Sequence, residues 1–175
     1  MTSLSKNARL AGLLYILASV VGVVRLIYIP NVLFVDGNVA ATTGNIAAHE
    51  SLFRFGILSQ LLGAALWLLV PLALYRLLKV VDHDHAVLMV ILGSLMPVPI
   101  FFMNSVNDAA ALLCARGADF LAAFDKPQRD ALTALFIRLH HYGDLVNEIF
   151  GACGSCHSAC WYTSRAFCLA FSASG

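Results

Sequence analysis

Residues 10–29 restrict the fold of this chain more than any other segment, because this apolar run contains a single charged side chain, that of Arg25. A helix of about 20 residues is as long as the hydrocarbon core of a bilayer is thick. Lys6 and Arg9 precede the run, as in a cleavable signal peptide, but the run is longer than the apolar part of such a peptide and no small-residue cleavage site follows it. The segment is therefore predicted to be a retained transmembrane helix that ends at Pro30.

Three more apolar segments are predicted to cross the membrane. The second span covers residues 52–78. The third covers residues 86–102, contains two prolines at which a kink is expected, and is expected to continue to Cys114. The fourth covers residues 131–150 and begins as an amphipathic helix.

The segments between these spans are predicted to be loops. Residues 31–51 are rich in Asn, Gly and Thr, which favour turns, and a short interfacial helix is expected over residues 45–52. Residues 115–130 form another loop, in which residues 121–124 are expected to lie at the membrane interface. The sequence Asp-His-Asp-His at residues 82–85 has the side chains of metal ligands, but four adjacent residues cannot converge on one ion, so a solvated turn is predicted.

Composition supports the membrane interpretation. Hydrophobic residues make up 60% of the chain, charged residues 12%, and the mean hydropathy is +0.81, whereas a soluble domain is about 45–50% apolar and about 25% charged. So few charges cannot cover the surface of a soluble globule, and a net charge of +1 provides no basic surface for nucleic acid. The predicted fold is an all-α transmembrane helix bundle with four spans in one domain, residues 1–150. The composition argues against a soluble enzyme, a nucleic-acid binder and a disordered protein.

The distribution of Lys and Arg indicates the orientation. Lys6 and Arg9 precede the first span, basic residues also follow the second span, and the loop between these spans has neither residue type. This pattern favours a cytoplasmic N-terminus. The loop at residues 115–130 departs from it by holding three basic residues, Arg116, Lys126 and Arg129.

Four sequence motifs resemble those of the bacterial multi-pass membrane family called domain of unknown function 4386. They are residues 8–15 (ARLAGLLY), residues 50–54 (ESLFR) with 74–78 (LYRLL), residues 117–125 (GADFLAAFD) and residues 139–143 (LHHYG). The resemblance covers residues 8–150 and implies an inner-membrane protein of six or seven helices. It implies no catalytic residue and no cofactor, because the family has no established activity.

Residues 151–175 depart from this resemblance, because the family continues with a Leu- and Trp-rich span and a Ser-Gly-Phe-Leu-Pro-Arg connection. Here the tail is rich in Ser and holds four of the five cysteines. Read in a neighbouring frame, its codons are compatible with an apolar span followed by that connection. We therefore predict a frameshift near Phe150 that truncates the family's helix bundle, which resequencing of the locus tests.

The tail also contains two patterns of ligand residues. Cys153, Cys156 and His157 match the C-x-x-C-H motif for covalent haem, and with Cys160 they offer four side chains of the types that bind zinc. A cytoplasmic, out-of-frame tail argues against both groups and against disulfides. We therefore predict no cofactor, no metal site and no catalytic residue.

The fourth span carries the strongest candidate site. His140, Asp144 and Glu148 are spaced four residues apart and form one stripe of a helix, with His141 at its edge. Ionisable groups within a span face a bundle interior or a water-filled cavity. One interpretation is a site for a proton, a cation or a polar substrate. The other is that the helix enters the membrane here, near the interface, where these side chains are hydrated or paired with Arg138.

Polar residues also follow the prolines of the third span. Asn104 and Asp108 share a helix face, and Asn107 lies beside them, so they either line a cavity at a broken helix or make interhelical hydrogen bonds. Arg25 and Arg54 lie near span ends, from which they can reach the interface or pair with acids across the bundle.

The sequence supports two main classes of function. The first is a non-enzymatic membrane protein that is structural or binds a small apolar or cationic ligand. The second is a membrane transporter or membrane-embedded enzyme that uses an intramembrane polar cluster. A c-type cytochrome is a third hypothesis, which rests on the C-x-x-C-H motif of the tail alone. The lipid bilayer is the expected partner, a homo-oligomer is compatible with the sequence, and no nucleic acid is expected. The candidate cluster consists of Asp108, His140, His141, Asp144 and Glu148.

Overall fold

The computed structural model describes the backbone of residues 3–172 and the side chains of residues 5–150. Within that part of the chain the regular structure is helical, without strands. Two π-helical segments, Val24–Tyr28 and Ile91–Leu95, join α1 to α2 and α5 to α6, and a 3₁₀ turn spans Asp119–Leu121. The α-helices are α1 (Ser3–Val23), α2 (Ile29–Leu33), α3 (Val39–Ala48), α4 (Glu50–Leu78), α5 (His83–Val90), α6 (Pro97–Arg116) and α7 (Lys126–Ser172).

Three helical stretches of the described chain are long and apolar enough to cross a membrane. They are Ser5–Leu33, Glu50–Leu78 and His83–Arg116, which correspond to the first three predicted spans. The fourth predicted span forms part of α7, whose described section is more polar. The all-α helix bundle is confirmed, and the outward faces of its helices expose large apolar side chains such as Leu13, Ile16 and Leu58.

The sequence predicts that the first helix ends at Pro30, but in the structure the helical stretch continues to Leu33. The π-helical turn before Pro30 explains this difference, because the amide of Ile29 donates to the carbonyl of Val24, five residues earlier. Pro30 therefore enters the first turn of α2, a position that tolerates the missing amide hydrogen.

The prediction of a loop over residues 31–51 is wrong for α3. Asn38 caps this helix, since its side-chain oxygen accepts a hydrogen bond from the amide of Ala41 at 2.9 Å. The helix is held by burial of Ile46, which packs in a core cluster with Ile29, Leu33 and Phe53. Tertiary packing and the cap thus outweigh the turn-forming residues, and the helix begins well before residue 45.

The predicted continuation of the third span to Cys114 is confirmed, and α6 ends two residues later, at Arg116. Its C-cap is Gly117, which adopts a left-handed conformation with φ of 66°. The predicted loop at residues 115–130 is shorter, because α7 begins at Lys126. The predicted turn at residues 82–85 is mostly helical, because Asp82 caps α5 by accepting from the amide of His85 at 3.0 Å. No group of three metal-ligating side chains forms within the described residues.

Helix α7 packs along α6, α1 packs along α4, and α4 packs along α6. This arrangement places the polar section of α7 against the middle of the apolar bundle. The change of composition after residue 150 occurs inside α7, whose backbone continues to Ser172. The haem and zinc hypotheses concern Cys153, Cys156, His157 and Cys160, whose side chains lie outside the described residues. The domain boundary at residue 150 stays a prediction.

Candidate functional site

Arg25 is a buried charge in the first apolar helix. It lies in the π-helical segment, its residue surface is 7% exposed, and its Nη2 donates to Asp108 Oδ2 at 2.8 Å. Of the two expectations for this residue, extension to the interface is wrong and pairing with an acid across the bundle is right. The reason is its position, because this face of the helix packs inward and the nearest carboxylate lies on α6.

His140 lies between two carboxylates. Its Nδ1 is 2.9 Å from Asp108 Oδ1, and its Nε2 is 3.2 Å from Asp144 Oδ2. Arg25 Nη2 lies 3.0 Å from Nε2 and 3.3 Å from Nδ1, so the guanidinium approaches both ring nitrogens about equally. An imidazolium can donate to both carboxylates, whereas a neutral imidazole donates to only one. The ring therefore links the acid on α6 to the acid on α7.

Asn104 and Gly143 complete this contact between α6 and α7. Asn104 Nδ2 donates to Asp144 Oδ1 at 2.8 Å. A β-carbon at position 143 would collide with the Asn104 side-chain amide, so Gly143 permits the approach of the two helices. We call the connected residues the polar cluster: Arg25, Asn104, Asp108, His140 and Asp144.

The structure brings together three of the five predicted site residues. Asp108, His140 and Asp144 belong to the polar cluster, and Asp108 is 2% exposed. Glu148 lies one turn after Asp144 and is exposed. His141 is exposed as well, and its ring lies beside that of Tyr142, away from the cluster.

Arg25 and Asn104 complete the cluster but are absent from the predicted site. The signal for Arg25 was its presence in an otherwise apolar run, since a charge within a membrane helix is costly unless it is paired. The sequence contained no indication of which acid it contacts. Asn104 was recognised as polar, but its bond to Asp144 depends on the packing of α6 against α7.

A cavity of about 540 Å³ adjoins the polar cluster. It lies between the first span, α4, α6 and α7, and its wall includes residues 18–27, 59–67 and 97–101 in part. These residues occupy the middle of the three apolar stretches, so the cavity lies near mid-depth in the bundle. We call it the central cavity. Its polar lining consists of Ser19, Arg25, Ser59, Gln60, Asp144, Asn147 and Glu148.

Two polar atoms beside this cavity lack a hydrogen-bond partner among the described residues. They are Arg25 Nε and Asn147 Oδ1, and both are buried. A buried polar group without a partner is costly, and such groups occur where a ligand or water completes the network. The site therefore combines a mostly apolar cavity wall with charged groups on one side, which is the usual composition of a small-molecule site.

A second group of charges lies at the end of the bundle. Arg54 Nε lies 2.7 Å and Arg116 Nη1 lies 3.0 Å from the same oxygen of Glu50. The Arg54 side chain is 57% exposed, which agrees with its predicted place near a span end. We call these three residues the end cluster.

Comparison with known proteins assigns the family but no activity. Residues 10–172 match the family described as "Domain of unknown function (DUF4386)". Comparisons with curated proteins and with solved structures gave no match. The match includes three of the four motifs in full, the first motif from residue 10, and the helices that form both the polar cluster and the central cavity, so the chain belongs to the DUF4386 family.

Proposed function

We propose that this protein binds a small ligand within the membrane, in the central cavity. The observation that carries the proposal is a cavity of about 540 Å³ at mid-depth whose wall holds Arg25, Asp144 and Glu148. Ligand sites are typically cavities of about 300–1,000 Å³ with apolar walls and a few polar groups.

The cavity favours ligand binding over a purely structural role. Protein interiors are close-packed, and voids larger than a water molecule are few. The cavity is partly open at the surface of the bundle, and a purely structural bundle gains no packing from such an unfilled space beside buried charges. A bound ligand would restore both the packing contacts and the solvation of the charged groups.

Fluorescence quenching tests access to the cavity. The chain has two tryptophans, so Trp161→Phe leaves Trp67, in the cavity wall, as the single reporter. We expect the neutral nitroxide TEMPO to quench Trp67 saturably in neutral detergent micelles. Gly22→Leu should abolish the saturable component, because Gly22 lines the cavity and a β-carbon there meets open space.

Gly12→Leu is the matched control for that measurement. Gly12 lies on the same helix, its β-carbon would also meet open space, and it is outside the cavity. The control should quench as the parent does. Quenching that rises linearly with TEMPO in the parent, or that is equal in both leucine variants, contradicts ligand binding in this cavity.

The proposed location is the bacterial inner membrane, with the N-terminus in the cytoplasm. The distribution of Lys and Arg supports this orientation, apart from the segment that holds Arg116, Lys126 and Arg129. Arg116 pairs with Glu50 and Lys126 with Asp130, so acids accompany two of these three basic residues. Alkaline phosphatase fused after residue 36 should be active and a fusion after residue 82 inactive; the reverse result contradicts this orientation.

Transport of the ligand is the second candidate function. One π-helical segment, Val24–Tyr28, lines the central cavity and contains Arg25. Such segments interrupt regular helical hydrogen bonding and are frequent at functional sites. If the protein transports its ligand, proteoliposomes should accumulate a bound probe against its concentration gradient, and this uptake should depend on an ion gradient. If the protein only binds the ligand, the amount of retained probe should depend on the amount of protein alone.

A further inference from the structure

The charges around the central cavity do not balance. Three carboxylates, those of Asp108, Asp144 and Glu148, lie in or beside the cavity wall. Two cationic groups are available to them, the guanidinium of Arg25 and the imidazole of His140 when it is protonated. The carboxylates are in excess in either protonation state of the imidazole. Glu148 is exposed on α7, but it lines the cavity between apolar helices, where an excess of negative charge favours a positive ligand.

The carboxylates differ in how their oxygens are used. Asp108 contacts Arg25 and His140, and Asp144 contacts Asn104 and His140. Glu148 lines the cavity and makes no hydrogen bond or ion pair with the described residues. One carboxylate is thus available to a ligand, and Asn147 provides a further oxygen without a partner in the described chain.

The rest of the wall suits an apolar body. Trp67 and Phe101 contribute aromatic rings, which attract cations through their π-electrons. Small residues in α1 and α4, among them Ala18, Gly22 and Ala64, leave the space between these helices open. The charged groups are concentrated on the side formed by Arg25 and α7, whereas α1 and α4 contribute only the uncharged polar residues Ser19, Ser59 and Gln60.

We propose that the central cavity binds an organic cation with an apolar body. The cationic group lies beside Glu148 and Asp144, and the apolar body extends between α1 and α4 toward Trp67. This proposal rests on the proposed function and adds the chemical class of the ligand.

Three nitroxides of one scaffold test the class of ligand in the Trp161→Phe protein. They are neutral TEMPO, cationic 4-trimethylammonium-TEMPO and anionic 4-carboxy-TEMPO, each titrated against Trp67 fluorescence in neutral micelles. We expect the cation to bind about tenfold more tightly than the anion, because of the excess carboxylate charge. Glu148→Gln should reduce this ratio at least threefold while the affinity for neutral TEMPO stays the same.

Asp36→Asn is the matched control, because Asp36 is an exposed acid outside the cavity. It should leave the preference for the cation unchanged. If neutral TEMPO binds saturably but the cation and the anion bind equally, or if Glu148→Gln has no effect on their ratio, the cation proposal is wrong and the proposed function stands. If no nitroxide quenches saturably, both are wrong.

Discussion

The polar cluster and the end cluster contain the same chemistry in different surroundings. Arg25 and Asp108 are 8% and 3% exposed in their side chains, whereas Arg54 and Glu50 are 57% and 29% exposed. Both pairs have short contacts, at 2.8 Å and 2.7 Å. Distance therefore does not distinguish a stabilising surface pair from a buried one that the fold must accommodate.

The surroundings determine what each pair can do. At the bundle end, water or lipid headgroups solvate the charges, so the loss of one partner is tolerated. In the bundle interior, each charge depends on the others, and removal of one leaves its partner desolvated. This dependence makes the stability of the polar cluster sensitive to a change of charge.

The largest expected effect is that of Asp108→Ala. This change leaves the Arg25 guanidinium buried without its carboxylate, and removal of one partner of a buried pair costs about 3–5 kcal/mol. Unfolding by SDS in mixed micelles, followed by circular dichroism, measures the loss. A loss equal to that of Arg54→Ala would remove the distinction between the two clusters.

Arg25→Met combined with Asp108→Leu sharpens the same distinction. Replacement of a buried ion pair by apolar side chains is often neutral or stabilising, so the double variant should regain most of the stability that Asp108→Ala loses. The same SDS titration applies. If the double variant is no more stable than Asp108→Ala, the cost does not come from an unpaired charge.

Gly143→Ala tests the packing that supports the cluster. The added β-carbon meets the Asn104 amide, so either α6 and α7 separate or Asn104 leaves Asp144. Overpacking of this kind costs about 1–3 kcal/mol. Gly12→Ala, at a position with open space, is the control and should lose no stability. Equal stability of the two alanine variants would contradict the described contact.

Arg54→Ala should have the smallest effect. The Arg54 pair is largely exposed, and such pairs contribute about 0.2–1 kcal/mol. The effect should also decrease at high salt, because screening weakens exposed pairs more than buried ones. A salt-independent loss comparable to that of Asp108→Ala would place the end cluster in the same class as the polar cluster.

Much of the fold could be predicted from local sequence. Three apolar runs gave three helices long enough to span the membrane, because length and hydropathy are properties of the segments themselves. The continuation of the first helix through Pro30 and the formation of α3 were missed. The first depends on a π-helical turn before Pro30 that the apolar pattern does not indicate, and the second depends on the burial of Ile46 against other helices.

The candidate site was predicted in part for the same reason. The spacing of His140, Asp144 and Glu148 along one helix is visible in the sequence, since helical periodicity alone places them on one stripe. His141 was included because it lies three residues before Asp144, at the edge of the stripe, and the structure places it on the exposed side. Arg25 was noted as an unusual charge but was not assigned to the site.

The sequence by itself determined a helical chain with segments long and apolar enough to cross a membrane and with ionisable groups in some of these segments, because hydropathy and helical period are local. Only the tertiary structure decided which groups meet. Arg25 and Asp108 are separated by 83 positions in the chain, and His140 joins them from a third element. The central cavity likewise exists only where four helices pack, since no single helix encloses a volume.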